Sequence, residues 1–249
     1  MKALILAAGY AKRLYPLTKD FPKPLLRVAK KPIINYITEE LERISTVSEI
    51  IVITNSKFLP HFKKWKKHFH FSKPVTLIDD LTRSNSTRRG AIGDMAFAIK
   101  KKKICHDLLV IGGDNIFDVS LNDFLSFARR KKPHPTIGIY KLKNIKQARN
   151  YGVVRIDRKK RLIGFQEKPA NPWSSLVAMC LYFFPKEKLR LIGEYAAIKH
   201  DKHDATGFYI SWLMKKETVY GFIFKKNWYD IGHHDTYEQA RRIFLKNKN

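Results

Sequence analysis

Residues 1–34 read MKALILAAGYAKRLYPLTKDFPKPLLRVAKKPII, and the reading of the fold turns on them. Residues 3–8 form an unbroken apolar run, the pattern of a short strand buried on both faces of a parallel sheet. The chain then turns at Gly9 and presents Lys12, Arg13, Lys19 and Lys23, with Pro22 and Pro24 stiffening the backbone on either side of Lys23. A strand that ends in a tight turn lined with cations suits an anion, most often a phosphate.

Outward from this stretch, strands alternate with amphipathic helices. Ile34, Ile37, Leu41 and Ile44 recur at helical spacing, predicting a helix over about 32–44. Residues 49–53 are a second buried strand ending at Thr54-Asn55, and a helix rich in Phe, Trp and Lys is expected over 58–68. Its aromatic residues are expected in the core, not stacked on bases. A strand at 75–78 leads into a polar stretch, and residues 84–94 open a helix to about 102. Residues 107–117 read as a buried strand ending in Gly112-Gly113, after which Asp114 projects from its carboxyl end, where open α/β sheets bind ligands. A helix at 122–130 and strands at 136–140, 151–157, 162–167 and 176–183 follow; the 151–157 and 162–167 strands form a hairpin.

The opening stretch resembles the N-terminal signature of the sugar-1-phosphate nucleotidyltransferases, L-x-x-G-x-G-[ST]-R-[LM]-x-P-L-T followed by P-K-P-[LM]. The matching residues are Leu6, Gly9, Arg13, Leu14, Pro16, Leu17, Thr18, Pro22, Lys23, Pro24 and Leu25. Ala11 stands where a second glycine is usual, and Lys12 where Ser or Thr is usual. Further on, Gly113-Asp114-Asn115, the Tyr151-Gly152-Val153 run ending at Asp157, and Glu167-Lys168-Pro169 fit the same family. So does the segment from Asp204, where Trp228, Asp230, Ile231, Gly232, Tyr237 and Ala240 match.

The resemblance implies a three-layer α/β/α, Rossmann-like nucleotidyltransferase fold with a mixed, mainly parallel central sheet. It implies one catalytic domain over residues 1–249, with the nucleotide over about 1–120 and the sugar phosphate over about 121–249. Leu6, Ala8, Gly9, Lys12 and Gly93 would contact the nucleotide, and Arg13 and Lys23 would be catalytic. Gly152, Glu167 and Lys168 would hold the sugar phosphate, and Asp114 and Asp230 would ligate Mg²⁺. The glutamine with which the family reads the base has no clear counterpart, and Cys180 replaces a usual glycine beside the sugar. The substrates implied are a nucleoside triphosphate, with dTTP or UTP favoured, and a sugar 1-phosphate. Two alternatives stay open: a cytidylyltransferase using phosphocholine, and a regulatory homologue that binds NDP-sugars. No hexapeptide-repeat stretch occurs, so the extra acyltransferase domain of some relatives is expected to be absent.

Composition narrows the partners. The formal charge is +27 among 249 residues, yet the cations lie in scattered short runs without a nucleic-acid-binding signature, so nucleic acid is not expected. No apolar run reaches the ~18 residues that span a bilayer. The N-terminus lacks a signal-peptide pattern, and Cys105 and Cys180 lack metal or disulfide spacing, so a cytoplasmic location is expected. A homo-oligomer is compatible with the sequence. A dinucleotide-binding oxidoreductase would want G-x-G-x-x-G and an acidic residue where Thr54-Asn55 stands. His233 and His234 are adjacent on a loop, a poor arrangement for binding one ion, and are expected at the surface.

The chemistry of these residue types agrees. No serine–histidine pair or evident general base is present. Transfer between two phosphates needs neither, because a phosphate monoester is already an anionic nucleophile near neutral pH. It needs relief of anion repulsion and in-line alignment, which Arg, Lys and a divalent cation supply.

Overall fold

A computed structural model describes residues 1–117, 120–198 and 205–246. The predicted position Asp204 and the last three residues of the predicted terminal helix lie outside these. The chain opens with β1 (Lys2–Leu6), 3₁₀ turns at Lys12–Leu14 and Lys23–Leu25, and the short strands β2 (Arg27–Val28) and β3 (Lys31–Pro32). There follow α1 (Ile33–Glu42), β4 (Glu49–Thr54), α2 (Leu59–His68), β5 (Val75–Asp79), α3 (Gly90–Lys101), β6 (Leu108–Gly112) and β7 (Asn115–Phe117). The next elements are α4 (Asn122–Arg130), β8 (Thr136–Lys141), β9 (Gly152–Ile156), β10 (Leu162–Glu167) and β11 (Leu176–Phe184). The described chain ends with α5 (Leu189–Ala197), α6 (Thr206–Lys216), β12 (Tyr220–Phe224), β13 (Trp228–Asp230) and α7 (His234–Lys246). The predicted elements are present, with ends shifted by a residue or two. The run at 107–117 divides into β6 and β7, and α5 was not anticipated.

These elements form two compact units, one of Met1–Arg89, Ile111–Ser120 and Asn227–Asn249, the other of Gly90–Val110 and Leu121–Lys226. In the first, β1, β4 and β5 are parallel, with Leu4 opposite Ile51 and Ile51 opposite Thr76. All six residues of β4 are buried, as expected for a parallel strand covered on both faces. The helix α1 buries Ile33, Ile34, Ile37 and Leu41 along one stripe, the pattern its spacing predicted. In α2 only Phe62 and Trp65 are buried, so its lysines face solvent and its aromatic residues serve the core as expected. A separate antiparallel pair joins β13 to β7, with Asp230 opposite Asn115. Beneath it, Leu14, Val28, Ile33, Ile116, Ile231 and Tyr237 form a small apolar cluster that seats the strand ends carrying Asp114 and Asp230.

The second unit is mixed. There β8 runs parallel to β12 and antiparallel to β11, while β9 is antiparallel to both β10 and β11. The expected α/β class, with a mixed and mainly parallel central sheet, is what the chain adopts.

Candidate active site

In the first unit, the end of β1 is fixed by the end of β4. Thr54 Oγ1 donates to the Ala7 carbonyl at 3.2 Å, and Asn55 Nδ2 donates to the Ala8 carbonyl at 2.9 Å. Both polar side chains are fully buried. Thr54-Asn55, which argued against a dinucleotide site, is thus the anchor of the glycine-bearing loop. Among the described residues, the backbone amides from Gly9 to Arg13 donate to no backbone acceptor.

The loop takes its shape at Ala11, whose φ of 45° and ψ of 42° lie in the left-handed region. The family's glycine at this position is explained by that conformation, which costs a residue with a Cβ about 1–2 kcal/mol. Thr18 Oγ1 donates to the Ala11 carbonyl at 2.8 Å and helps to hold the turn. Gly9 needs no positive φ; a Cβ there would meet nothing within 4 Å, so space is open above it.

Leu6, Ala7, Gly9, Ala11, Lys23, Pro24 and Asp114 line a cavity of about 110 Å³. Of the predicted residues, Leu6, Gly9, Lys23 and Asp114 therefore come together. Ala8 is buried behind the loop; Lys12 and Arg13 are exposed on the 3₁₀ turn beside it and do not line the cavity. Lys23 Nζ donates to Asp114 Oδ2 at 2.5 Å and to the Ile231 carbonyl at 2.9 Å. Gly113 permits this approach, since a Cβ there would lie 2.8 Å from the Leu6 carbonyl oxygen and 3.2 Å from Pro24.

Asp230 lies on β13, and the Ile231 amide donates to the Asp114 carbonyl at 3.1 Å. Two aspartates therefore leave neighbouring positions of one strand pair. Among the described residues no group of three or more His, Cys, Asp and Glu could hold a metal. Two hard carboxylates fit Mg²⁺, which is commonly held by one or two carboxylates together with substrate phosphates. His233 and His234 are half-buried and exposed; His234 Nε2 donates to the Tyr15 carbonyl at 2.9 Å.

The second unit contains Gly93, Gly152, Glu167 and Lys168. Gly152 is the cross-strand partner of Glu167, and a Cβ on it would lie 2.3 Å from the Phe165 ring. Lys168 follows with a left-handed φ of 44°; its amide donates to the Tyr151 carbonyl at 3.0 Å, and its Nζ lies 3.6 Å from Glu167 Oε1. A lysine held in that region of φ carries backbone strain, which clusters at functional positions. Gly207, near the start of α6, was not singled out in the sequence. A Cβ on it would lie 1.8 Å from Glu167 Oε2, so this glycine makes the room in which the carboxylate sits. Tyr182 is fully enclosed, and burial pushes its hydroxyl pKa well up, against a smaller opposing effect of the hydrogen bond with Thr206. Gly93 lies half-buried in the first turn of α3.

The fold and site define a class of α/β protein with a glycine-bearing loop and a Lys–Asp pair around a cavity at the carboxyl end of its first strand. Residues 2–247 match the family model for nucleotidyl transferase, and the chain belongs to that family. The bifunctional protein GlmU of Methanocaldococcus jannaschii is 30% identical over 233 residues, covering 93% of this chain and 51% of the relative. The glucose-1-phosphate adenylyltransferase of Aliivibrio fischeri is 25% identical over 276 residues, covering 98% and 66%. The chain thus spans between half and two thirds of the length of these relatives. A solved structure of UDP-glucose pyrophosphorylase complexed with UDP-glucose matches with a TM-score of 0.83 at 19% identity over 99% of each chain. At that identity the likeness shows the fold alone.

Proposed function

We propose that this chain condenses a sugar 1-phosphate with a nucleoside triphosphate, releasing pyrophosphate and forming an NDP-sugar, in a Mg²⁺-dependent reaction. Among the triphosphates, the family resemblance favours dTTP or UTP. The observation that carries the reading is Lys23, held at Asp114 in a cavity whose other wall is the loop of Gly9 and Ala11.

In this reading an oxygen of the sugar phosphate attacks the α-phosphorus. A new P–O bond forms, the α–β anhydride bond breaks, and pyrophosphate leaves with the bonding electron pair. No proton need be removed from the nucleophile, because a phosphate monoester is already anionic near neutral pH. Lys23 offers ammonium protons to the transferring phosphates, and the loop amides receive anionic oxygens. Arg13, exposed at the rim, neutralises the leaving pyrophosphate. Asp114 and Asp230 would hold Mg²⁺, which when bound screens the repulsion between the phosphates. In the second unit, Glu167 accepts hydrogen bonds from sugar hydroxyls and Lys168 holds the sugar phosphate; Gly152, expected to admit the sugar to the backbone, is buried with the Phe165 ring where its Cβ would lie and makes room for that ring beside Glu167. Gly93 is assigned to the base.

The chain contains no described helix long and apolar enough to cross a membrane, and Cys105 and Cys180 are free thiols, which supports a cytoplasmic setting. The test is pyrophosphate release with Mg²⁺, crossing dTTP, UTP, CTP, GTP and ATP with several sugar 1-phosphates and phosphocholine. Release with one sugar phosphate, abolished by chelator and by Asp114→Asn, is the expected result. Release with phosphocholine alone, or nucleotide-sugar binding without release, would overturn it.

A further inference from the structure

We infer that Asn115 and Trp228 are positioning residues that fix the direction of the Asp114 carboxylate. The inference rests on the proposed reading, in which that carboxylate is a metal ligand. Trp228 Nε1 donates to Asn115 Oδ1 at 2.6 Å, and Asn115 Nδ2 donates to Asp114 Oδ1 at 3.0 Å and to the Gly112 carbonyl at 3.2 Å. Asn115 is 1% exposed, so its amide is shielded from bulk water and held by these three partners.

The chemistry of the three groups allows one arrangement. An indole N–H can only donate, so it must face the oxygen end of the Asn115 amide. The NH₂ end is then directed at Gly112 and Asp114, whose oxygens can only accept. Rotating the amide by half a turn would set N–H against N–H at Trp228 and oxygen against oxygen at Asp114. Trp228 therefore fixes the orientation of Asn115, and Asn115 holds one oxygen of Asp114. The other oxygen is taken by Lys23, so each carboxylate oxygen has its own partner.

The strand pairing links this relay to Asp230. Asn115 stands opposite Asp230, and Trp228 opposite Phe117. Directly opposed residues of an antiparallel pair share a face, as do residues two apart on one strand. Trp228, Asn115 and Asp230 therefore share a face, and the indole–amide bond crosses the pair beside the second aspartate. The Ile231 amide, bonded to the Asp114 carbonyl, and Lys23, bonded to the Ile231 carbonyl, close the frame from the backbone side. Partners behind metal ligands typically set metal affinity by about 10–100-fold.

The experiment measures binding of Mn²⁺–pyrophosphate by water-proton relaxation, without turnover. Trp228→Phe keeps an aromatic ring and removes the donor; Asn115→Leu keeps the volume and removes both polar ends. Both are expected to bind Mn²⁺–pyrophosphate about 10–100-fold more weakly than wild type. Circular dichroism and melting identify the folded variants to compare, and either variant suffices if the other fails to fold. Affinity equal to wild type in a folded variant, with Asp114→Asn impaired, would overturn the inference alone. Undiminished binding by Asp114→Asn would overturn the metal-ligand reading and the inference with it.

Discussion

Lys23 Nζ stands 2.5 Å from Asp114 Oδ2, although 91 residues separate the two in the chain. Their side chains are 15% and 29% exposed, so the pair is neither buried nor free in solvent. In the proposed reaction both groups would have a second demand on them, the lysine from phosphate and the carboxylate from metal. The contact keeps each charged group compensated where both would meet their ligands.

Removing the lysine charge is therefore expected to affect chemistry far more than folding. In Lys23→Ala, turnover should fall by about 10²–10³-fold or more, as when one preorganised donor to a developing charge is lost. A partly exposed ion pair contributes about 0–1 kcal/mol, so the melting temperature should move by only a few degrees. Pyrophosphate release and a thermal melt on the same sample check both parts. A near-normal rate would remove Lys23 from the mechanism.

Ala11→Gly is expected to stabilise the protein. Ala11 sits at φ 45°, where a Cβ costs about 1–2 kcal/mol. Glycine would relieve that and lose about 0.5–1 kcal/mol to the greater freedom of the unfolded chain. The net gain should be about 0.5–1 kcal/mol, or about 1–4 °C in melting temperature. A melting temperature below wild type would mean that the turn is not strained at this residue.

The cavity at the end of β1 was legible because most of its lining lies within one short stretch. Strand, turn and the proline-bracketed Lys23 fall inside 25 residues, and each carries a local signal in its residue types. Asp114 was equally visible, since Gly112-Gly113 marks where its strand ends. What the sequence did not display was the frame behind these groups. The strands β7 and β13 have three residues each and pair across more than 100 positions, too short and too distant for any periodicity to register. Asn115 and Trp228 were recognised only as motif positions, because their shared bond exists only once those strands pair. Gly207 was missed for a similar reason: its meaning lies in the carboxylate 40 residues upstream. By contrast α5 did carry a signal, in Leu189, Leu191, Ile192 and Tyr195, which are its buried face.

Gly207 gives a test of the proposed sugar-phosphate site. In Gly207→Ala the new methyl would lie 1.8 Å from Glu167 Oε2 and 2.8 Å from the Phe165 ring, so the carboxylate must swing away. A hydrogen bond to a charged group is worth about 1.5–3 kcal/mol, so KM for the sugar phosphate should rise about 10-fold or more. KM for the nucleoside triphosphate should stay within about twofold. An unchanged KM for the sugar phosphate in the folded variant would detach Glu167 from sugar binding.

Glu217 is expected to set part of the acid stability of the second unit. Burial alone would raise its pKa, but hydrogen bonds from Lys188 and His134, with the Lys188 charge, outweigh burial and hold it below the ordinary value of 4.5. The carboxylate lies 2.8 Å from His134 Nδ1, accepts from the Thr218 amide at 3.1 Å, and pairs with Lys188. A carboxyl group whose folded pKa is depressed binds fewer protons folded than unfolded at acid pH. Its contribution is then fully present above about pH 4.5 and is lost as the pH falls through the lower folded value. Glu217→Gln removes that titration, leaving Lys188 beside a neutral amide. The variant should melt lower than wild type at pH 7, and the difference should shrink between pH 4.5 and pH 3. Thermal melts of both proteins across that range decide the matter: a constant difference would mean that Glu217 does not titrate differently in the folded state.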